Sequence, residues 1–297
     1  MLMIALKNNL DFNFTPYILM HSIISLNLVI LFSAKKERHL YISNLRKQCN
    51  WAKMVISVRK IMEVNLEGGV VIDGFPSAGL VNAIASECII RSTKTKMVGV
   101  LDSPDFPTLS IISDYLPQFP ARIYANEELK IAFFVTELEI DKAMYREIAE
   151  TMLKWALDHH CRLIISAAAV TTDNMKKTDS VGDETDLFAI SSIKSGQATI
   201  KKYGFPLVKS GTISGIPAVL LNEANLLNFE VIVLAVRVIR EVPDFRAAAT
   251  VSDAITKIVP GVYCDIGTLM VEAKMIEEDI KKIRENQRIT LRAGIYT

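Results

Sequence analysis

The sequence predicts an α/β protein, a three-layer α/β/α sandwich around a mostly parallel (mixed) sheet, with a long C-terminal helix and a free tail. From Met54 onward, short apolar runs rich in β-branched residues alternate with segments of helical periodicity. This order is expected of a sheet with helices on both faces. The run Val231 to Val238 is uninterrupted, as expected for a central strand covered on both faces.

The first α/β unit is the most clearly marked stretch. The apolar run that ends at Asp73 predicts a buried strand, Gly74-Phe75-Pro76 predicts a turn, and Ser77 is the expected N-cap of a helix. The turn lacks a Gly-x-Gly-x-x-Gly pattern and Pro76 has no N–H to donate, so tight packing explains its glycines better than phosphate binding. The core-facing side of the helix is expected to carry Leu80, Val81, Ile84, Cys88 and Ile89.

The remaining elements follow in the same alternation. Two prolines and two aspartates predict a loop over 102–107, and the polar stretch 171–186 predicts a surface excursion. Gly211 to Pro217 repeats the turn before a helix, and Asp141 and Pro243-Asp244 precede two further helices. The predicted strands cover 54–58, 97–101, 109–112, 121–124, 130–135, 162–170 and 187–193, and the other predicted helices cover 141–158, 194–203 and 247–258.

The predicted core domain spans 54–264, and an amphipathic helix over 265–294 follows it. Its apolar residues recur at alternating three- and four-residue spacing, an a/d seam. Gly294 is suited to end this helix in a left-handed conformation. The chain then finishes on an apolar residue and an aromatic, in the tail Ile295-Tyr296-Thr297. The seam consists of Ile266, Leu269, Ala273, Ile276, Ile280 and Ile283.

Residues 1–53 differ from the rest and form a doubtful N-terminal extension. Their apolar stretch, 17–32, is short for a membrane span, which needs roughly twenty residues, and no cleavage site of a secretory signal follows it. We expect the natural start at Met54. A membrane-tethered form is the alternative if the extension is translated.

Composition excludes several functional classes. With 34 basic and 33 acidic residues the net charge is +1, so a nucleic-acid partner is not expected. The four cysteines, Cys49, Cys88, Cys161 and Cys264, show no paired spacing, which favours a reduced, cytoplasmic protein without a metal site. Four histidines leave few candidates for a general base. No catalytic residue and no cofactor are predicted.

Two sets of residues resemble the proteasome assembly chaperone 2 family in its archaeal form. Together they cover residues 65 to 285, while residues 1–53 have no counterpart in the family. The first set is Asp73 to Pro76 with Gly79-Leu80-Val81, Leu101 to Pro107 and Arg122-Ile123-Tyr124. The second is Gly211 to Pro217 with Leu220 to Ala224, Pro243-Asp244 and Ala247-Ala248.

The resemblance implies a non-enzymatic, cytoplasmic homo-oligomer that binds the 20S proteasome without ATP. Some family members end in a hydrophobic-tyrosine-any tripeptide that inserts between neighbouring α-subunits of the 20S ring. Ile295, Tyr296 and Thr297 match this pattern at the extreme C-terminus. Part of the role follows from chemistry, since Tyr296 offers an aromatic body with a polar tip and the terminal carboxylate can pair with a basic side chain.

A nucleoside-phosphorylase-like enzyme or small-molecule sensor is the alternative. Its cleft would lie at the carboxyl edge of the sheet, where aspartates and Arg122 could supply acid–base or anion-binding groups. The competing interpretation is that the aspartates cap turns and Arg122 makes an ion pair. The residues of this candidate cleft are Asp73, Gly74, Phe75, Pro76, Gly79, Asp102, Pro104, Phe106, Pro107 and Arg122, with Gly211 and Gly215 as further members.

Overall fold

The computed structural model describes residues 56–170, 187–238 and 242–271. The α-helices within these ranges are α1 Val81–Ser92, α2 Tyr145–Asp158, α3 Lys194–Lys202, α4 Ile216–Leu226 and α5 Phe245–Ile258, and residues 266–271 are helical as well. The strands of the described residues are β1 Ser57–Lys60, β2 Val70–Gly74, β3 Lys96–Asp102, β4 Ile111–Ser113, β5 Leu116–Gln118, β6 Ala121–Asn126, β7 Ile131–Thr136, β8 Leu163–Val170, β9 Leu187–Ser191 and β10 Glu230–Arg237.

Eight of these strands form one mixed sheet, in the order β1-β3-β6-β7-β2-β8-β10-β9. Its centre is parallel, because β2 pairs in parallel with both β7 and β8, and β8 pairs in parallel with β10. The pairs towards either edge are antiparallel. This arrangement confirms the predicted fold class, and the uninterrupted run at 231–238 is the buried interior strand β10.

Helices cover both faces of the sheet. On one face α1 packs against α5, and their apolar side chains join strand residues such as Ile72, Phe133 and Leu234 in one core. On the other face α2 packs against α4. Met144, just before α2, and Ile148, Met152 and Trp155 within it recur at helical spacing and are all buried.

The start of α1 differs from the prediction by a few residues. A 3₁₀ turn, Ala78–Leu80, precedes the helix, and both Gly79 (φ 67°) and Leu80 (φ 53°) have left-handed backbone conformations. As a result Leu80 is 41% exposed instead of core-facing, while Val81 and Ile89 are buried as expected. Ser77 accepts a hydrogen bond from the Asn82 N–H (3.3 Å), five residues on, whereas a standard N-cap accepts from the N–H two or three residues on.

The expectation that the cysteines are all reduced is wrong. Cys88 of α1 and Cys264 form a disulfide with a Cα–Cα distance of 5.4 Å across 176 residues of sequence. The spacing of the cysteines in the sequence did not reveal this pair. Cys88 and Cys264 meet only because α1 packs beside α5 and the chain continues from the end of α5 to Cys264. Cys161 is a free, buried cysteine, as predicted.

The described start of the C-terminal helix packs on the domain itself. Leu269 is 6% exposed, and Ile266 and Met270 contact the same core as α1 and α5. Asp265 caps this helix by accepting hydrogen bonds from the backbone N–H and the hydroxyl of Thr268. The rest of the predicted seam and helix, 272–294, lies outside the described residues, as do 1–53 and 171–186. Within the described ranges, the helices are all too short or too polar to span a bilayer.

Candidate functional site

Three of the residues predicted to line a cleft, Asp73, Asp102 and Arg122, lie near one edge of the sheet. β2, β3 and β7 run parallel or near-parallel and end at this edge, and β6, which is antiparallel, begins there. The topology therefore brings Asp73, Asp102 and Arg122 to the same side of the molecule, although they come from three different strands. Their individual contacts decide whether they form one site.

Asp73 is a buried carboxylate in the middle of the sheet. It is 1% exposed and accepts hydrogen bonds from the Ser166 hydroxyl (2.7 Å) and the Phe75 backbone N–H (3.0 Å). Burial raises the pKa of Asp73 to about 6, although both hydrogen bonds oppose the shift. The carboxylate thus ties β2 to β8 and shapes the turn that follows β2. It is held inside the fold and does not face an open cleft.

The backbone of the Gly74 to Gly79 turn packs closely against neighbouring residues. A Cβ at Gly74 would lie 2.7 Å from both the Phe134 carbonyl oxygen and the Ser86 Oγ, so only glycine fits there. Phe75 is buried and Pro76 is half-buried. This favours the packing interpretation of the two glycines over phosphate binding.

Two further contacts hold the same turn in place. The Asn82 side chain exchanges two hydrogen bonds with the Ala167 backbone, donating at 3.1 Å and accepting at 2.8 Å. The Asp244 backbone N–H donates to the Gly79 carbonyl oxygen (2.8 Å), which links the turn to the start of α5. The turn is therefore clamped between β8 and α5, as a structural junction of the fold would be.

Arg122 is the second buried charge at this edge. It is 7% exposed, donates to Gln118 and Glu137, and its guanidinium lies 5.6 Å from the Tyr124 ring centre. Desolvation raises the pKa of Glu137 while the nearby guanidinium lowers it, with desolvation the larger effect. The predicted alternative for Arg122, an ion pair, is what the structure contains.

Asp102 and the proline loop after it are more exposed. Asp102, at the end of β3, is paired with Arg59 of the neighbouring strand β1. Two strands, β6 and β7, separate β3 from the Asp73 strand, β2. In the loop, the Phe106 N–H donates to the Ser103 carbonyl oxygen (3.1 Å), while Pro104 and Pro107 are exposed. Asp73, Asp102 and Arg122 are thus each satisfied by a different neighbour and do not converge on a shared position.

A cavity lies elsewhere, beside the second predicted turn. It measures about 320 Å³ and lies under α4, next to the ends of β8 and β10. Gly211 and Thr212 of the turn line it, together with Lys209, Ser210 and Asn222. Gly215 follows with a φ of 82° and precedes the first residue of α4. A small polar molecule would find both apolar walls and hydrogen-bonding groups here.

Other reactive side chains have structural roles. Burial raises the pKa of Cys161 to about 12, so its thiol is not a nucleophile at neutral pH. The His159 ring stacks on Trp155 with 3.9 Å between ring centres and bonds the Trp155 carbonyl oxygen. In the described ranges, histidines, cysteines and carboxylates are nowhere grouped in threes that could hold a metal ion.

Sequence reasoning missed the polar partners buried beneath the turn. Ser166 lies within an apolar strand and Asn82 within an apolar helix stripe, so neither was distinguished from a core position. Among the described residues, the buried Ser86 Oγ has no hydrogen-bond partner. A small polar residue inside an otherwise apolar run was the available signal. The predicted tail, Ile295 to Thr297, lies outside the described residues.

The contacts at the edge of the sheet do not identify a function, whereas comparison with known proteins identifies relatives of this chain. An uncharacterized protein of Methanocaldococcus jannaschii, MJ0106, is 25% identical over 223 residues, which is 75% of this chain and 88% of that protein. The structure of Pyrococcus furiosus PbaA, an archaeal homologue of proteasome-assembly chaperone, matches with a TM-score of 0.66 and 25% identity, covering 79% of this chain and 94% of PbaA.

A second solved structure agrees in fold. Pyrococcus furiosus PbaB, an archaeal proteasome activator, matches with a TM-score of 0.64 at 20% identity, over 78% of this chain and all of the PbaB chain (100%). At this identity the match bears on the fold alone. The model of the PAC2 family matches residues 71–284, which is most of the chain and nearly all of the described sheet and helices. The chain belongs to the PAC2 family.

Proposed function

We propose that this protein is a non-enzymatic, ATP-independent proteasome-binding protein, an assembly chaperone or adaptor, that docks its C-terminal tail on α-subunits of the 20S proteasome. The observation that carries the proposal is the agreement with PbaA, named as a homologue of proteasome-assembly chaperone, over nearly the full PbaA chain. Family membership supports the same class of partner. The proposal places the protein in the cytoplasm.

The described structure supports the tail as a projecting element. Its base is anchored to the domain by the Cys88–Cys264 disulfide, the Asp265 cap and the buried Leu269. A helix over the predicted 265–294 would extend about 45 Å from this anchor, at about 1.5 Å per residue. Ile295, Tyr296 and Thr297 would then stand well clear of the domain, as docking into an α-ring pocket requires.

A single tail would bind weakly, so we also propose a homo-oligomer that presents several tails to the ring. Full burial of Ile295 supplies roughly 1.5–3 kcal/mol. Linking several such tails to one ring raises avidity by a factor on the order of 100 or more through effective concentration.

Capture of proteasome subunits tests the proposal. Tyr296→Ala, or a chain that ends at Gly294, should lose capture of isolated α-subunits and of mature 20S, with an unchanged circular dichroism spectrum. Tyr263→Ala is the matched control, because Tyr263 is also an exposed tyrosine (62%) but belongs to the domain. Stronger capture of free α-subunits than of 20S supports an assembly role. Undiminished capture by the shortened chain excludes tail docking.

The cavity under α4 favours small-molecule binding as a second candidate function. Its lining combines Lys209, Ser210 and Asn222 with apolar side chains, which suits a polar metabolite better than the separated Asp73, Asp102 and Arg122. Specific binding would raise the melting temperature by mass action. A thermal-shift screen with nucleosides, nucleotides and inorganic phosphate checks this, and Asn222→Leu should remove any shift that arises in this cavity.

A further inference from the structure

The β4–β5 hairpin carries a concentration of exposed apolar side chains. Its two strands pair only with each other among the described strands, outside the eight-stranded sheet. A lone two-stranded hairpin is marginally stable in water, so exposure of its apolar residues needs an explanation. The exposed fractions are 50% for Leu109, 68% for Ile112, 99% for Tyr115, 65% for Leu116 and 45% for Phe119.

The tip of the hairpin holds an aromatic residue in a costly conformation. Ser113 pairs with Leu116, so Asp114 and Tyr115 form a two-residue turn, and both have positive φ (50° and 66°). Glycine and asparagine are the usual residues in such turns, because a side chain with a Cβ is strained there. Tyr115 is therefore both strained and fully exposed in the single chain, a combination that marks functional positions.

The hairpin is continuous with the edge of the main sheet that β1 forms among the described strands. At its base Phe119 lies 6.0 Å from the guanidinium carbon of Arg59 in β1. β1 is the outermost strand of the sheet, with β3 as its neighbour. Ile61 and Met62, immediately after β1, are 52% and 40% exposed. We call residues 109–119 together with 57–62 the hairpin surface.

The size of the hairpin surface fits a stable protein contact. At about 150–250 Å² for a large side chain, its exposed apolar residues present roughly 800 Å². Each partner in a standard-size protein interface buries about 800 Å². An apolar patch on a monomeric protein usually covers about 300–600 Å² at most. The hairpin surface therefore has the area of one complete half of an interface.

Its charges indicate the kind of partner. Arg59 is paired with Asp102 and Lys60 with Glu63, all within one chain. These pairs neutralise the β1 end of the hairpin surface, so two identical copies can approach there without like-charge repulsion. Asp114, at the hairpin tip, is exposed and adds one negative charge. An open strand edge also pairs readily with its own counterpart, and the same patch on both copies gives a closed twofold contact.

We propose that the hairpin surface binds the hairpin surface of a second copy of this chain. Tyr115 and Ile112 become buried against the partner, and the two copies are related by a twofold axis beside β1. This contact supplies an interface for the homo-oligomer of the proposed function, on which it rests, and it does not depend on tail docking, because no residue of the tail takes part.

The molecular mass of the full chain in solution tests this contact. The parent should sediment at a multiple of 33.1 kDa at tens of micromolar. The double variant Ile112→Asn with Leu116→Asn should dissociate to the monomer, with self-association weakened at least about tenfold. Leu226→Asn is the matched control, because Leu226 is 75% exposed on α4 and should leave the mass unchanged.

Hydrogen exchange in the unmodified chain is the second measurement. Backbone amides of 111–118 should exchange faster on dilution, while those of the buried strand β10 should not. The proposal is overturned if the double variant keeps the parent mass, or if the exchange rates at 111–118 do not change with protein concentration. It is also overturned by a double variant that keeps its mass and loses capture of α-subunits, because the surface would then serve the proteasome. The chain ending at Gly294 should keep the parent mass, which separates this result from tail docking.

Discussion

Removal of the Cys88–Cys264 disulfide should destabilise the domain strongly. The bridge closes a loop across 176 residues, which contains most of the described sheet and all of α5. In the loop-entropy model such a constraint on the unfolded chain is worth about 5 kcal/mol. For a domain of this size, each kcal/mol lowers the melting temperature by about 2–4 °C. We therefore expect a fall of roughly 10–20 °C.

The assay is thermal unfolding with and without a thiol reductant, with thiol titration on the same samples. Reduction should expose two additional titratable thiols and lower the melting temperature by the stated amount. Cys88→Ser combined with Cys264→Ser should melt at the reduced temperature whether or not reductant is present. Cys161→Ala is the control, because Cys161 is outside the bridge and its variant should keep the full response to reductant.

Two results would contradict the predicted role of the disulfide. If two thiols appear on reduction and the melting temperature stays the same, the loop does not constrain the unfolded chain as argued. If reductant exposes no additional thiols even after unfolding, the bridge itself is absent from the protein. In that case the packing of α1 beside α5 brings Cys88 and Cys264 close without joining them.

Two further predictions concern the turn after β2. The pKa of Asp73 is raised from 3.8 to about 6, so folding favours its protonated form, and its contribution to stability falls as pH rises from about 4 to 6. The loss is about 3 kcal/mol, since a tenfold change in proton affinity is worth about 1.4 kcal/mol. Asp73→Asn should abolish this dependence in urea unfolding at each pH, and equal slopes for parent and variant would contradict it. Gly74→Ala should cost roughly 1–3 kcal/mol or more, because its Cβ would lie 2.7 Å from a backbone oxygen. Gly211→Ala, whose Cβ would meet only Val208 at 3.8 Å, should be nearly neutral, and equal effects of the two would exclude the steric argument.

Local patterns predicted the elements because each depends on residues a few positions apart. The alternation of apolar runs and helical stripes located β3, β7, β8 and β10 within one or two residues. Asp141 and Asp244 were expected before helices, and their side chains accept hydrogen bonds from Ala143 and Ala247. The short strand β5 was missed, since Pro117 in its middle argues against a strand.

The site residues were predicted less well, for a physical reason. Asp73 and Asp102 were expected near one edge, because the carboxyl ends of parallel strands share an edge, and Arg122 lies near it at the start of the antiparallel strand β6. Their actual partners are Ser166, Arg59 and Glu137. The partner of each side chain depends on the order of the strands and on the direction in which the side chain points. Neither can be predicted from the periodicity of the sequence. The cavity beside Gly211 likewise exists only because α4 covers the ends of β8 and β10.

The sequence by itself determined the fold class, the order of elements, the family resemblance and the candidate tail. Only the tertiary structure decided that Cys88 meets Cys264, that Asp73 is buried against Ser166 and that the 109–119 hairpin stands exposed. Buried parallel strands have nearly interchangeable apolar sequences, so their order in the sheet is set by how the helices pack. Contacts between residues 93 or 176 positions apart follow from that order.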